Sequence, residues 1–360
     1  MKLAEASLDE GYEVIVGYGE IGNTNLNLLK DKGLKVCPYS MQRGGINIFQ
    51  EIYTIYSIWC LLKKINPDIL HLVTIKPYLY GGILARLIKI PCVVSAIAGL
   101  GTLFIQNNIK TRFIRKLLYP LYKFALGHSN QQIIIQNKDD KKFLTNWGVL
   151  NPKKTTLLKG SGVNLDDFVK LDEPIGIPTV CFAGRLLREK GVNEFVSAAH
   201  ILKKRGLKIR FLLAGKTDLM NPSGLNNVEI NHLKEEGIVE VLGYQDDIAN
   251  LYAISHIVCL PSYREGLPKS LAEAAAASRA IVTTDVPGCR DTIIPNKSGL
   301  LVPVKNSKQL ADAINWLIDH PTKRIAMGKV GRKLAQKEFA IEKIINNHLE
   351  IYRKLSIKYS

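Results

Sequence analysis

TVCFAGRLLREKG, residues 179–191, is an apolar, strand-like run that meets a glycine and turns into a basic segment. Its companion is HIVCLPSYREGLPKSLAEAAAAS, residues 256–278, where a second apolar run ends in a proline- and glycine-framed turn before a helix-like stretch. Strand, turn and helix in that order, repeated, describe a parallel sheet with helices on both faces. The pattern extends through IRFLLAG, VEVLGY, AIVTTD and GLLVPV, with helices expected over 192–205, 246–255, 269–278 and 307–319. The first half has its own series: YEVIVGY, LKVCPYS, DILHLVTI, IPCVVSAIAG and QQIIIQN. Between the two lies LDEPIGIPT, 171–179, with two prolines and a glycine in nine residues, which reads as a linker. The expected fold is α/β, with two Rossmann-like doubly wound domains facing across a cleft and ligand at the carboxyl ends of the strands. The domains are expected at 1–170 and 171–340, with a C-terminal helix, 341–360, packing back on the first.

At 360 residues the chain is long enough for two domains, each with its own core. Six scattered cysteines form no C-x-x-C pair and sit mostly in apolar runs, as reduced thiols in a cytoplasmic protein do. The chain opens on a polar, acidic stretch, which is no secretory signal. The longest apolar run, 52–62, is 11 residues with Thr54 and Ser57 within it, well short of the roughly 20 of a membrane span. Net charge is +17, unevenly spread, with eleven Lys or Arg against the single acid Asp68 between 52 and 138. The densest part is KTRFIRKLLYPLYKF, where Lys110, Arg112, Arg115, Lys116 and Lys123 alternate with aromatic and aliphatic residues. It suits either an anionic membrane surface or a solvated helix in a basic protein.

In FAGRLLREKG the strand ends at Gly184, which leaves room for a phosphate. Arg185 then offers a planar fork and Lys190 a point charge, two ways to hold phosphate oxygens. A surface turn with ordinary basic residues would read the same. Neither a Walker loop nor a G-x-G-x-x-G turn is present. In the companion, the loop Gly266–Leu267–Pro268 precedes the helix, and Pro268 suits its first turn. The helix start is then an anion site. Glu265 lies before the helix and Glu273 more than a turn inside it, so the two acids reach different parts of one ligand. Glu273 suits vicinal hydroxyls, as on a ribose, and Glu265 the reacting sugar.

FAGRLLREKG, PSYREGLPKSLAEA, TDVPGCRDTI and KSGLLVPV together resemble the donor domain of the GT-B-fold retaining glycosyltransferases of family 4. More loosely, IKPYLYGGILAR, AGLGTLF, QNKDDKKFL and GSGVNLDDF resemble members that extend lipid-linked saccharides in surface polysaccharide assembly. The resemblance implies that Arg185 and Lys190 bind the donor diphosphate, Glu273 the ribose and Glu265 the transferred sugar. It also implies that Gly184, Gly215 and Gly243 line the nucleotide site. The family's opening strand and glycine-rich loop are expected to be absent, because the chain begins in what reads as a helix. Ala98 stands before Gly99 where many relatives carry histidine, so no histidine receives a catalytic role. His71, His128, His200, His232 and His256 read as structural or surface groups.

No Asp-x-Asp occurs, so fixed cations rather than a metal are expected to neutralise the leaving diphosphate, with no cofactor. The expected activity is transfer of a hexose or N-acetylhexosamine, by default UDP-linked, to a polyprenyl-diphosphate-linked saccharide in O-antigen, capsule or related synthesis. It would run at the cytoplasmic face of the inner membrane, with the basic segment docked there. Lys76, Tyr80, Gly99 and Thr102 are acceptor-side candidates. A nucleotide-sugar epimerase and a non-catalytic nucleotide-sugar-binding protein remain alternatives. Charge alone suggests nucleic acid, but no recognisable module supports it.

Overall fold

The computed structural model describes residues 1–19, 23–41, 47–101, 104, 109–168, 172–218 and 221–357, without the side chains of 23–25. The chain forms two compact units, one of residues 1–158 with 344–360 and the other of 159–343.

The second unit is built on β7 (Thr179–Ala183), β8 (Arg210–Ala214), β9 (Glu240–Gly243), β10 (Ile257–Leu260), β11 (Ala280–Thr284) and β12 (Gly299–Val302), following six strands among the described residues of the first unit. All pair in parallel in the order β12-β11-β10-β7-β8-β9. Read from the other edge this is 3-2-1-4-5-6, the doubly wound order, in which connections leave in opposite directions at the β7/β10 seam. Every residue of β7, β10 and β11 is buried. Helices cover both faces, so these strands carry continuous apolar runs instead of alternation. Phe195, on the helix Val192–Lys204, sits at the centre of the core with its ring 5.7 Å from Phe182 and 5.6 Å from Phe211.

The first unit contains β1 (Ile15–Tyr18) paired with β2 (Lys35–Pro38). A separate parallel sheet runs β3 (Ile69–Val73), β4 (Cys92–Ile97), β5 (Gln131–Ile135) and β6 (Thr155–Leu157). The C-terminal helix Ile341–Ile357 packs Leu349, Tyr352 and Leu355 on Cys92, Val94 and Ile134. There, His71 meets the hydroxyl of Tyr352 at 2.6 Å and the ring of His348 at 5.5 Å. Burial first, then the neighbouring His348, pushes the His71 imidazole down to about 3. No helix among the described residues is long and apolar enough to cross a membrane.

The helix Asn227–Glu236 has no counterpart in the sequence expectation, because none of its residues is fully buried and its core contact is confined to Ile230 and Leu233, too short a stripe to mark a helix. Its signal is the cap. Asn226 accepts from the Glu229 amide at 2.9 Å and Glu229 accepts from the Asn226 amide at 2.9 Å. Two helices of the first unit turn apolar residues outward. On Ile109–Ala125 the exposed residues Ile109, Phe113, Leu117 and Leu121 recur every fourth position, beside Lys110, Arg112 and Lys116. On Ile48–Ile65 the exposed set is Ile48, Phe49, Ile52, Tyr53, Tyr56 and Trp59.

Phe195→Ala removes the ring shared by Phe182 and Phe211, and should cost about 3–5 kcal/mol. A shift of the denaturation midpoint equivalent to under about 1 kcal/mol would mean that the ring is not central to this core.

Candidate functional site

The carboxyl ends of β7, β8 and β9 are tied together through glycines. The Gly184 amide donates to Ala214 O at 3.0 Å and the Gly215 amide to Gly243 O at 2.8 Å. A Cβ on Gly215 would lie 1.8 Å from Gly184 O, so only glycine permits this approach. Gly243 has φ +68°. Gly184, Gly215 and Gly243 thus share one rim. Arg185 leaves that rim into solvent, with its side chain 58% exposed, and donates to Asp218 at 3.2 Å.

The chain then makes a short helical turn, Arg188–Lys190, closed by Gly191 at φ +78°. A Cβ on Gly191 would stand 2.2 Å from Pro261 O, so the turn after β7 lies directly against the turn after β10. The Tyr263 amide donates to Glu189 O at 2.8 Å across the same seam. This contact brings the Lys190 ammonium onto the Glu265 carboxylate, where it donates to Oε1. Ser262 Oγ donates to the same oxygen at 2.7 Å. The Glu265 main chain is held as well: its amide donates to Pro287 O at 3.2 Å, and Gly288 leaves no space for a Cβ against its carbonyl. Beneath it, burial and then the Glu265 charge push the Cys289 thiol up to about 12. Beside it, the Tyr263 hydroxyl donates to Glu194 at 2.8 Å, and Lys305 stands 5.1 Å from the Tyr263 ring centre.

Pro268 is the cap residue of the helix Lys269–Ala276, in extended conformation with φ −68° and ψ 119°, one position before the first turn. Gly266 and Leu267 fill the loop ahead of it, and Leu267 packs against Gly160. Glu273 lies inside the helix with its side chain only 12% exposed, 3.2 Å from the Lys269 ammonium. Burial pushes its carboxyl above the usual range; Lys269 opposes this and the nearby Asp167 adds to it.

Two of the expected site residues, Lys190 and Glu265, are in direct contact. Arg185 and Glu273 instead take partners that the sequence alone does not point to as ligands, Asp218 and Lys269. Lys269 was legible as an i,i+4 partner. Asp218 and Ser262 carry no periodic signal.

In the first unit, Lys76 donates to Glu51 at 2.5 Å and the Tyr80 hydroxyl to the other Glu51 oxygen at 2.6 Å. The π-helical turn Pro77–Gly81 sets both side chains toward the helix that carries Glu51. Burial works against the Glu51 charge, yet the bonds from Lys76 and Tyr80 hold its carboxyl below the usual range. Glu51 is the residue that sequence reasoning missed here. Gly99 has φ +148°, and Thr102 lies outside the described residues. His128 accepts from the Asn130 amide at 3.2 Å, His256 accepts from the Thr179 amide at 3.0 Å, and His200 lies 3.1 Å from Glu236.

Residues 165–334 match the family model "Glycosyl transferases group 1", and residues 1–137 match "Glycosyl transferase 4-like". The chain is 32% identical to the N,N'-diacetylbacillosaminyl-diphospho-undecaprenol alpha-1,3-N-acetylgalactosaminyltransferase of Campylobacter jejuni, over 84% of this chain and 81% of that protein. It is 25% identical to the UDP-Gal:alpha-D-GlcNAc-diphosphoundecaprenol alpha-1,3-galactosyltransferase of Escherichia coli, over 86% of this chain and 81% of that one. The structure superposes on a sucrose-phosphate synthase of Thermosynechococcus elongatus with TM-score 0.80 and 22% identity, over 99% and 92% of the two chains.

Because the folded state raises the Glu273 carboxyl, it holds that proton more tightly than the unfolded chain does. Stability attributable to this group therefore falls as pH rises from the ordinary carboxylate value through the raised one. Glu273→Gln removes the titration, so its thermal midpoint relative to the parent should become more positive between about pH 4 and about pH 8. A flat difference across that range would refute the assignment.

Proposed function

The chain belongs to the GT-B-fold glycosyltransferases of family 4, and on that premise we propose that it is a retaining enzyme that extends a lipid-linked saccharide. The donor is a UDP-linked hexose or N-acetylhexosamine, and the acceptor is a sugar on polyprenyl diphosphate, in the synthesis of a surface polysaccharide. The observation that carries this reading is the Lys190–Glu265 contact at the β7/β10 seam, with the start of the helix Lys269–Ala276 immediately beyond it. Ligands of doubly wound sheets bind at that seam. The Campylobacter relative, named for an undecaprenyl-diphosphate-linked acceptor, supports the acceptor class.

In the reaction, the bond between the sugar's anomeric carbon and the diphosphate breaks as the acceptor oxygen attacks from the same face. The departing phosphate oxygen takes the proton of the acceptor hydroxyl. Arg185, Lys190 and the positive helix start stabilise the charge that develops on the diphosphate, and need no metal or other cofactor to do so. Glu265 stabilises the developing oxocarbenium ion, and Glu273 accepts from the ribose hydroxyls. Gly184, Gly215 and Gly243 leave room for the nucleotide along the strand ends. On the acceptor side Glu51 fixes Lys76 and Tyr80, whose polar groups meet the incoming saccharide, and Gly99 and Thr102 are further acceptor-side candidates.

The enzyme works at the cytoplasmic face of the membrane, attached peripherally. Lys110, Arg112, Arg115, Lys116 and Lys123 attract anionic headgroups, and the outward stripe Ile109, Phe113, Leu117 and Leu121 offers apolar contact.

A panel of UDP-hexoses and UDP-N-acetylhexosamines, offered with polyprenyl-diphosphate-linked saccharides and read by mass, should yield one lipid product extended by one sugar. Arg185→Ala should then lower turnover by about 10²–10³-fold at saturating donor; unchanged turnover refutes its role. Co-sedimentation with anionic vesicles should weaken as salt rises and shrink further when Lys110, Arg112 and Lys116 are replaced by Gln. Salt-independent binding argues against electrostatic docking.

A further inference from the structure

The ammonium expected to receive the donor diphosphate is already occupied. Lys190 and Glu265 are paired with side chains only 19% and 11% exposed, so water screens their attraction far less than that of a surface pair. Both Lys190 and Ser262 donate to one oxygen of Glu265. Ser262 is fully buried and is itself anchored, because the Thr284 hydroxyl donates to its carbonyl. The Glu265 main chain is fixed from the Pro287–Gly288 side. Glu265 therefore has one flexible partner, the long lysine side chain, and one rigid partner, the serine hydroxyl.

We propose that Lys190 and Glu265 form an exchangeable pair, in which the carboxylate competes with the donor diphosphate for the ammonium, and that Ser262 is the positioning residue that keeps Glu265 aimed when the lysine leaves. This rests on the donor reading above and goes beyond it. A dianionic diphosphate outcompetes a single carboxylate, so Lys190 swings to phosphate on binding. Glu265 is then freed of its counter-ion at the moment a cationic sugar carbon is to form beside it. The contact holds charge compensation in reserve: the carboxylate's full negative charge becomes available only in the loaded site. No covalent change is involved in the exchange.

The test is calorimetric titration with UDP of the full chain and its variants, beside donor kinetics. Glu265→Gln keeps the shape but removes the competitor, so UDP should bind about five- to tenfold tighter while turnover collapses. Lys190→Ala should weaken UDP binding. In the double variant Lys190→Ala/Glu265→Gln the gain from Glu265→Gln should vanish, since nothing remains to be released. If the gain persists without Lys190, Glu265 merely repels the diphosphate and the exchange is refuted. Unchanged or weaker UDP binding by Glu265→Gln refutes it too. Ser262→Ala should lower kcat by about tenfold with UDP affinity within about twofold of the parent, a split that general loosening of the loop would not give. A parallel loss of kcat and UDP affinity, or an unchanged kcat, overturns the positioning role. A parent chain that ignores UDP altogether overturns the donor reading along with this one. When the parent binds UDP, the variants bear on the pair alone.

Discussion

Two backbone turns, one after β7 and one after β10, approach so closely that the residue at their contact can carry no side chain. Gly191 meets the Pro261 carbonyl where a Cβ would be 2.2 Å away, and its φ of +78° is one that other residues adopt only at a cost. That single contact follows from the strand order. In a doubly wound sheet β7 and β10 are neighbours with connections leaving in opposite directions, so their loops open side by side. Lys190 and Glu265 sit 75 residues apart in the chain and touch because of it. Gly215 against Gly184, and Gly288 against the Glu265 carbonyl, repeat the same device on either side. The charged groups are thus held by main-chain packing, and a buried, all-parallel core keeps that packing rigid.

The strands were legible because their signal is local. Each of the six runs expected in the second half is a strand, and the helix expected over 269–278 spans Lys269–Ala276. Buried parallel strands are short β-branched blocks ending in glycine or proline, a pattern that a sequence shows directly. What stayed hidden is of two kinds. The helix Asn227–Glu236 fully buries no residue, and only Ile230 and Leu233 pack against the core, too few to show a helical period. The pairings of Arg185 with Asp218, of Ser262 with Glu265 and of Glu51 with Lys76 and Tyr80 depend on rotamers and on loops meeting in space. Spacing in the chain carries no information about them.

Charge in this chain is used in two ways. In the second unit each expected phosphate ligand is matched by an acid, Arg185 by Asp218 and Lys190 by Glu265. The surplus that gives +17 lies outside this recess, and one share of it is the helix Ile109–Ala125, with five cations and no acid. A balanced recess and an unbalanced exterior are different electrostatic objects: the first acts over a few ångströms, and the second falls off over a Debye length of about 8 Å at physiological salt.

The fourfold spacing of the outward residues Ile109, Phe113, Leu117 and Leu121 has a geometric corollary. An α-helix turns about 100° per residue, so each such step overshoots a full revolution by about 40°, and three steps accumulate about 120°. The row consequently spirals around its cylinder instead of running straight along it. Pro120, which can offer no amide to the carbonyl of Lys116, falls just before its last member and permits a bend there. A flat surface could therefore engage the row fully only if the rod met it obliquely or curved to follow it, with one end seated deeper than the other.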